Sequence, residues 1–562
     1  MLLIPIIGHW EKDNTIFLPL IGSLVFITIL TVILSDHVYA SSPNSTNNTG
    51  MILTPNQIAA GGPLPGNISK ILDEIKCVDT EHLQPQNAPW FPSVGSTEAG
   101  GSGRAHLYPC IHFEGSFSVP NQVYAYQSPG EYGRSYVLET RGPNEMYVYG
   151  GPGTLPGAFI SRVEVGSLKE TWHTTLENNK VSGNWLMPAA INVLADGSIA
   201  VTNGRYLYKV NADNGAIEGT VSLPTGTHPP TDSNYDAMEA FKDGTLVLVT
   251  ANRAVGCQLQ GFEAQLKCPT KAPSFLVAVD PKTLKVLDAV QLPELVPARN
   301  TVVEHEGKEY IYLVGWSSLF RYEWNGKNLT PDREWGPVHY LTKGQTPANV
   351  AAPMGDWVVM MTNGAAASNV SLSVVAVSQS NSSKIVRINP IPLEPGEPSF
   401  IPAMLSVDLP NNRIYVWDFP PGKLAAIDFT QDGKMSLAWT TDQRTTGFMT
   451  LIGPTDKRVI VGSNINPRDT PEDIQKNNYT EQIVWRDADT GKILALSDYF
   501  SPMTQGVAVA PSYGGIMYDL LSNGHIMALQ IKPTSYIVEG QNMTVSKVGD
   551  LFSKNMKERV AN

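Results

Sequence analysis

The chain has 562 residues and a formal net charge of -12, because 52 Asp and Glu residues outnumber 40 Lys and Arg residues. Apolar residues make up 42% and charged residues 16%, against about 25% charged in ordinary soluble domains. The apolar share suffices for a large core. The acidic balance argues against nucleic acid or an anionic membrane surface as a partner, because both select clustered Lys and Arg.

Residues 1–40 hold an apolar segment, residues 15–34, that contains no charge. A helix of about 20 residues just crosses a hydrocarbon core of about 30 Å. The small-residue sequence VYA before Ser41 fits a cleavage site, although signal peptides usually have a shorter apolar stretch of about 7–15 residues. A cleaved signal peptide and an uncleaved membrane anchor both remain open, with a buried core helix as the third alternative. The first two place residues 41–562 outside the cytoplasm, secreted or anchored.

The segments that flank the main domain differ in composition. Residues 41–66 are rich in Ser, Asn, Gly and Pro and are expected to form a flexible linker. Residues 67–134 are expected to form a small N-terminal cap, in which residues 100–103 (GGSG) make a flexible loop. The polar tail, residues 532–562, has no second apolar span.

The chain has four cysteines, Cys77, Cys110, Cys257 and Cys268. An even number in an exported chain indicates two disulfides. The spacing favours Cys77–Cys110 and Cys257–Cys268, each of which closes a local loop, over the two crossed connectivities. A zinc site is disfavoured because no Cys-x-x-Cys pair occurs.

Eight Asn-x-Ser/Thr sequences follow the apolar segment, where glycosylation would occur, and predict a glycoprotein. Their asparagines are Asn44, Asn47, Asn67, Asn328, Asn369, Asn381, Asn478 and Asn542.

From residue 135 to residue 531 the chain repeats loosely, with eight units at spacings of 44 to 64 residues. Each unit contains short runs rich in Val, Ile and Tyr, which are typical of strands and too short for helices. Turns such as Asp-Asn-Gly before the last strand supply the positive φ that a hairpin needs. Four-stranded units at this period predict an all-β fold, a β-propeller of eight blades, with seven as the main alternative and two β-sandwiches as the third.

The last unit has no clear fourth strand after Ile531. The missing strand comes either from residues 535–539 in the tail or from residues 123–127, ahead of the first blade. The second alternative would close the ring by joining its two ends.

Residues 483–496 (IVWRDADTGKILAL), with Asp487, Thr490, Gly491 and Lys492, resemble the Asp-x-x-Thr-Gly-Lys turn of quinoprotein-type β-propeller repeats. The docking tryptophan that follows the turn in that superfamily is replaced by leucine here. The resemblance implies a propeller, and its dehydrogenases bind pyrroloquinoline quinone (PQQ) with calcium. Many carry an adjacent cysteine pair, which this chain lacks, and that absence argues against PQQ. No Cys-x-x-Cys-His occurs, which excludes a covalent c-type haem.

A propeller places the loops between blades, and those joining the second and third strands, on one face, which we call the mouth. Polar residues recur at these loops and predict a site for a small polar or anionic ligand held by amides and arginines. An ordinary role in capping turns is the alternative for each asparagine. The predicted ligand-binding residues are Asn203, Arg205, Asn252, Arg253, Arg299, Asn300, Asn349, Asn363, Arg444 and Gln505.

The residues between 228 and 239 form the richest cluster of candidate metal ligands. The oxygen ligands Asp232, Asn234 and Asp236 alternate as in part of a calcium loop, and His228 and Glu239 flank them. The glycine and the last glutamate of an EF-hand are missing, so a solvated turn is the alternative. Calcium is therefore the candidate metal, and the cofactor is otherwise open.

Two functions follow from these observations. The first is an extracytoplasmic or cell-surface binding or scaffold protein, with a small polar molecule or a cell-surface protein as partner. The second is a secreted enzyme acting at the mouth, either a quinoprotein-like oxidoreductase or a metal-assisted lyase or hydrolase. The sequence favours the first because no complete catalytic motif occurs in it, although the fold alone does not decide.

Overall fold

The computed structural model describes most of the predicted cap and propeller. It covers residues 68–81, 84, 87–133, 135–151, 157–165, 167–176, 189–364, 369–400, 404–504 and 506–531. The apolar segment, the linker and the tail lie outside the described residues. Within these ranges, none of the helices has the length and apolar character needed to cross a membrane.

The predicted eight-bladed β-propeller is confirmed. Blade 1 consists of β3 (Ser135–Gly142), β4 (Glu145–Gly150), β5 (Phe159–Val163) and β6 (Glu170–Thr175), and blade 2 of β7 (Ile191–Val193), β8 (Ile199–Asn203), β9 (Tyr206–Val210) and β10 (Ile217–Ser222). Blade 3 consists of β11 (Ser233–Ala240), β12 (Leu246–Asn252), β13 (Phe275–Val279) and β14 (Val286–Gln291). Blade 4 consists of β15 (Asn300–His305), β16 (Lys308–Val314), β17 (Ser318–Trp324) and β18 (Leu329–Pro331), with β19 (Val338–His339) added to β17.

The other four blades complete the ring, because the first strand of blade 8 contacts the first strand of blade 1. Blade 5 consists of β20 (Ala351–Met354), β21 (Trp357–Met361), β22 (Val374–Ser378) and β23 (Ile385–Ile388), and blade 6 of β24 (Ser406–Asp408), β25 (Arg413–Asp418), β26 (Lys423–Phe429) and β27 (Met435–Asp442). Blade 7 consists of β28 (Thr450–Ile452), β29 (Val459–Ile465), β30 (Glu481–Asp487) and β31 (Ile493–Leu496), with β1 (Leu107–Tyr108) added to β28. Blade 8 consists of β32 (Ala510–Ser512), β33 (Ile516–Leu520), β34 (Ile526–Ile531) and β2 (Val123–Gln127).

The described helices are short and lie in the connections. Helix α1 (Ile68–Glu81) belongs to the cap, α2 (Gly261–Lys267) lies in blade 3 and α3 (Pro471–Gln475) in blade 7. Three single 3-10 turns span Pro230–Asp232, Thr455–Lys457 and Tyr513–Gly515.

The inner strands are buried on both faces, whereas the outermost strands are not. Every residue of β4, β8 and β12 is buried, while β10 and β27 alternate between exposed and half-buried positions. Neighbouring blades cover both faces of each inner strand, so these strands need apolar, β-forming side chains. This packing explains the low charged share of the sequence.

The outer turns dock onto tryptophans of the preceding blade. Trp172 on β6 and Trp439 on β27 each donate from Nε1 to a carbonyl in the following blade's turn, at 3.2 and 3.3 Å. Gly215 and Gly491 in these turns have φ of +72° and +73°. A Cβ there would lie 2.6 Å from Trp172 and 2.9 Å from Trp439, so glycine is required for contact as well as for φ. Docking tryptophans are thus present, but on other blades than the one carrying the full motif.

The ring closes through its N-terminal segment. Strand β2 pairs antiparallel with β34 over its whole length, from Val123 opposite Ile531 to Gln127 opposite Met527. Residues 123–127 therefore supply the fourth strand of blade 8, and residues 535–539 lie outside the described residues. The chain joins its two ends by backbone hydrogen bonds within one sheet.

The closing strand should carry a large share of the stability through Tyr126. Tyr126 is 8% exposed, packs between blades 8 and 1, and donates its hydroxyl to Val165 O at 2.9 Å. We expect Tyr126→Ala to lower the free energy of unfolding by about 3–5 kcal/mol, as for other buried aromatic truncations. Denaturant unfolding measures this change.

Tyr124, two residues earlier on the same strand, is the matched control, since it is 40% exposed. Tyr124→Ala should change the free energy of unfolding by less than about 1 kcal/mol. Equal effects of the two substitutions would contradict a closing role for the buried Tyr126 side chain.

Candidate functional site

The central channel of the propeller is filled by the chain itself. Residues 90–108, which we call the channel segment, run along the first strands of six blades. They meet β3, β7 and β11 toward the C-terminal ends of these strands, opposite the mouth. The backbone hydrogen bonds join Thr140 N to Gly95 O, Val193 N to Ser96 O, Val302 N to Ser102 O, Val407 N to Ala105 O and Leu451 N to His106 O, and the Ser102 hydroxyl donates to Ala240 O in blade 3.

The expectation that residues 100–103 form a flexible loop is wrong. Ala99, Arg104 and His106 have positive φ values of 66°, 54° and 52°, and Arg104 and His106 are fully buried. A Cβ at Gly100, where φ is +75°, would lie 2.6 Å from Leu107 O. The glycines therefore let the backbone turn sharply inside the channel, where tertiary contacts hold it.

Two arginines and three carboxylates form a buried charge network between the channel segment and the inner strands. Arg104 Nη2 lies 2.8 Å from Glu98 Oε2, and Arg104 Nε lies 2.6 Å from Glu239 Oε1. Arg299 Nη2 lies 2.7 Å from Glu98 Oε1, and Arg299 Nη1 lies 3.7 Å from Asp236 Oδ2. Glu98 thus bridges both arginines, which in turn tie the segment to blades 3 and 4.

The network holds one carboxylate ionised and favours the neutral form of two others. Burial opposes the charge on Glu98, but Arg299 and Arg104 lower its pKa to about 2. Burial raises the pKa of Asp236 to about 7 and that of Glu239 to about 8. The attraction of Arg299 and Arg104 does not offset burial here, because both arginines are shared with Glu98. Burial also raises the pKa of Glu139 on β3, well above its ordinary value.

The structure does not gather the five predicted metal ligands into one site. His228 Nε2 donates to Arg253 O at 2.9 Å, and Asp232 forms an ion pair with Arg253 at 2.5 Å. Asn234 Oδ1 accepts from Gly204 N at 3.0 Å. Asp236 and Glu239 belong to the channel network, because β11 carries them away from the loop toward the ring axis. In the described part of the chain, no group of three or more His, Cys, Asp or Glu side chains could hold a metal ion.

The asparagines predicted to bind a ligand at the mouth mainly hold the mouth loops in place. Asn203 Nδ2 donates to Leu176 O at 3.4 Å, Asn252 Nδ2 to Pro273 O at 2.6 Å and Asn363 Nδ2 to Pro347 O at 2.9 Å. Asn300 Nδ2 donates to Val247 O at 3.3 Å, and Asn349 O accepts from Arg299 N at 3.2 Å. The capping alternative accounts for these contacts, since most join a strand end to a neighbouring loop. Gln505 lies outside the described residues.

The predicted arginines are engaged in contacts within the protein. Arg253 donates to Asp232 and to Leu259 O, and Arg299 donates to Glu98. Arg444 Nη2 donates to Pro420 O at 3.3 Å, and Arg205 lies over the ring of Tyr206 at 5.4 Å.

Both predicted disulfides are present and hold segments around the two channel ends. Cys77–Cys110 ties α1 to the residues that directly follow the channel segment, with a Cα–Cα distance of 5.4 Å. Cys257–Cys268 closes a loop within residues 253–274, which we call the blade 3 loop. Ala264 and Cys268 of this loop pack against Phe400, in the connection to blade 6. Because blades 4 and 5 lie between, the blade 3 loop reaches over part of the mouth.

Four of the predicted glycosylation sites lie in described residues and are exposed, namely Asn328, Asn369, Asn381 and Asn478. Asn44, Asn47, Asn67 and Asn542 lie outside the described residues. The exposed positions are accessible to a transferase.

Sequence reasoning missed Glu98 and Arg104 as members of the channel network, and it missed the buried Glu139 near them. Glu98 and Arg104 lie in a cap segment whose glycines favoured a loop, and Glu139 lies in a strand of blade 1. The one available signal was a pair of opposite charges six residues apart in a stretch otherwise poor in charge.

Comparisons with known proteins support the fold. The quinohemoprotein alcohol dehydrogenase from Comamonas testosteroni matches with a TM-score of 0.52 at 11% sequence identity, over 84% of this chain and 86% of that chain. The quinohemoprotein alcohol dehydrogenase ADHIIG from Pseudomonas putida HK5 matches with a TM-score of 0.49 at 8% identity, over 84% and 83%. BamB from Moraxella catarrhalis gives 0.36 at 12% identity, over 63% and 97%. No family model and no curated protein matches the sequence. The resemblance to quinoprotein-type propellers therefore holds at the level of the fold.

The residues that fill the channel do not fit the quinone that the resemblance implies. The channel beneath the mouth is filled by the channel segment, and its carboxylates are paired with Arg104 and Arg299. All four cysteines are used in disulfides between distant residues. We therefore derive no reaction through PQQ.

The channel network should make stability fall as the pH rises. The pKa of Glu239 in the folded protein, about 8, lies above its ordinary value of 4.5, so the folded state keeps a proton that the unfolded state releases. The contribution is present below pH 4.5 and is lost as the pH rises toward 8, on the order of 1.4 kcal/mol per pKa unit. Unfolding midpoints between pH 5 and pH 8 measure this slope.

Glu239→Gln should flatten the decrease, because its side chain no longer titrates. The control Glu472→Gln removes a carboxylate whose side chain is 71% exposed and should leave the slope unchanged. An unaltered slope in Glu239→Gln would show that the network does not set the pH dependence.

Proposed function

We propose that this chain is an extracytoplasmic binding or scaffold protein, whose propeller presents its mouth rim to a protein partner. One observation carries the proposal: the channel is filled by the chain's own segment, held by Glu98 between Arg104 and Arg299. A filled channel serves as a structural core. The surfaces that remain for binding are the outer faces and the loops.

The rim at the mouth supports this function. The connections between the second and third strands are longest in blades 3, 5 and 7, at residues 253–274, 362–373 and 466–480. Val255, beside the Cys257–Cys268 disulfide, is 68% exposed, a large apolar side chain on a covalently closed loop. Rigid apolar groups of this kind are favourable contacts for a partner, because little conformational entropy is lost on binding.

The two disulfides hint at an extracellular environment, since they persist in oxidising compartments. The apolar segment 15–34 and the exposed sequons support export by a signal peptide or an anchor. A secreted oxidoreductase, lyase or hydrolase acting at the mouth is the alternative. The buried and paired state of the predicted ligand residues favours binding over these activities.

The partner-binding rim can be tested with a photo-crosslinking residue placed at position 255 of the full chain in its native host. We expect crosslinked products from Val255, because this side chain projects from the rim. The matched control is Leu437 on the outermost strand of blade 6, which is 48% exposed. Equal products from both positions, or none from Val255, would contradict the rim as the binding surface.

A test of quinone binding distinguishes the proposed binding function from the alternative oxidoreductase function. After incubation with PQQ and calcium chloride followed by desalting, we expect the protein to retain no quinone absorbance, because the channel segment fills the space. Stoichiometric retention of PQQ would overturn the assignment of the channel as a core and favour the enzyme.

Export and glycosylation can be tested together. When the full chain is produced through a secretory pathway, treatment with a glycosidase should lower its apparent mass. Asn381→Gln should reduce this shift by one glycan, whereas Asn214→Gln, an exposed asparagine outside any sequon, should not. A mass unchanged by the glycosidase would contradict modification of these sites.

A further inference from the structure

Blades 7 and 8 meet at the mouth in a pair of buried carboxylates, Glu481 at the start of β30 and Asp519 near the end of β33. Both side chains are 0% exposed. The segment between β31 and β32 runs between them: Phe500 pairs with Glu481, and Met503 pairs with Leu521. Met503 N donates to Glu481 Oε1, and Thr504 N donates to Leu520 O at 2.7 Å. One short segment thus contacts the strands that carry both carboxylates.

Asp519 differs from the residues at the same place in other blades. Asn203, Asn252 and Asn363 each donate to a loop carbonyl, and Asp418 accepts from the Ser399 hydroxyl and from Phe400 N. In contrast, the carboxylate of Asp519 has no hydrogen-bond partner among the described residues beyond its own backbone neighbour Leu520. The Thr504 hydroxyl is also buried without a partner there, and Glu481 has only Met503 N and the Ser463 hydroxyl beside it. Buried polar atoms in native proteins are nearly always satisfied, so this group indicates a missing ligand.

The charge of the pair points to a cation. No described Arg, Lys or His forms an ion pair with either carboxylate, whereas the buried carboxylates of the channel network have Arg104 and Arg299 within reach. Burial raises the pKa of Asp519 well above its ordinary value, and the charge on Glu481 raises it further. Burial raises the pKa of Glu481 to about 7. Two unpaired buried carboxylates are costly when ionised, and a divalent cation would neutralise both.

We propose that Glu481 and Asp519 form a calcium site between blades 7 and 8, with the Thr504 hydroxyl as a further oxygen ligand. Calcium accepts six to eight oxygen ligands in irregular geometry, whereas magnesium requires an octahedron and keeps several waters. A fully buried site favours the ion that gives up its water. The Ser463 hydroxyl beside Glu481, 2.7 Å from the Thr445 hydroxyl, extends the oxygen-rich surroundings. The ion would link the last two blades next to the closing strand, independently of the proposed binding function.

The test is thermal unfolding of the EDTA-treated full chain at pH 7.5, with and without calcium chloride, together with calorimetric titration of calcium alone. We expect calcium to raise the unfolding temperature, with a dissociation constant of about 10⁻⁴ to 10⁻³ M, as in extracellular modules. Asp519→Asn and Glu481→Gln should weaken calcium binding at least tenfold. Without calcium, both variants should be at least as stable as the wild type, because a neutral amide removes the buried charge.

Asp418→Asn is the matched control, because Asp418 lies at the same place in blade 6, is equally buried and has hydrogen-bond partners. It should keep the full calcium response. The proposal is overturned if calcium does not stabilise the wild type, or stabilises Asp519→Asn equally.

The alternative is that Glu481 and Asp519 share a proton instead of binding calcium. Measurements on the wild type alone distinguish the two cases, so the test holds even if the variants do not fold. For a shared proton, the unfolding temperature falls as the pH rises from 5 to 8 by the same amount with and without calcium. That outcome overturns the site. A decrease with pH that calcium reduces supports it.

Discussion

An eight-bladed ring leaves a channel along its axis, and the polar backbone and side chains of the innermost strands must find partners there. In this protein the partners come from the channel segment, whose backbone bonds to five inner strands and whose Ser102 side chain bonds to a sixth. Glu98 holds this arrangement by accepting from Arg104 and Arg299 together. The position of the cap depends on this channel filled from within, because Cys77–Cys110 joins helix α1 to the residues that follow the channel segment.

The electrostatics of the channel follow from this filling. Water is excluded, so each charge needs a partner or becomes neutral. Glu98 has two guanidinium groups and stays ionised, while Asp236 and Glu239 share these groups and have raised pKa values. The same reasoning distinguishes the blade 7–8 carboxylates, which have no such partner among the described residues. This difference in charge partners is the reason why a ligand is proposed at the second group and not at the first.

In the proposed function the mouth rim binds the partner, because the channel is filled. The asparagines at strand ends hold neighbouring loops, and the arginines bond within the protein. The blade 3 loop is closed by a disulfide and packs against Phe400. A rigid rim with Val255 exposed is suited to binding a protein surface, because few degrees of freedom are lost. The fold is similar to that of the quinohemoprotein alcohol dehydrogenase from Comamonas testosteroni.

The sequence by itself determined the architecture. Runs of β-forming residues at a regular period, with Gly215 and Gly491 in the outer turns, are local signals and gave the propeller, and cysteine spacing gave both disulfides. Tertiary structure alone decided the site. Glu98 lies more than 130 residues from Asp236 and Glu239 along the chain, and Glu481 contacts the blade of Asp519 through an intervening loop. The alternation of Asp232, Asn234 and Asp236 looked like a metal site, but β11 divides these residues between a loop and the channel. Partners so distant in sequence are brought together only by closure of the ring, which local periodicity does not encode.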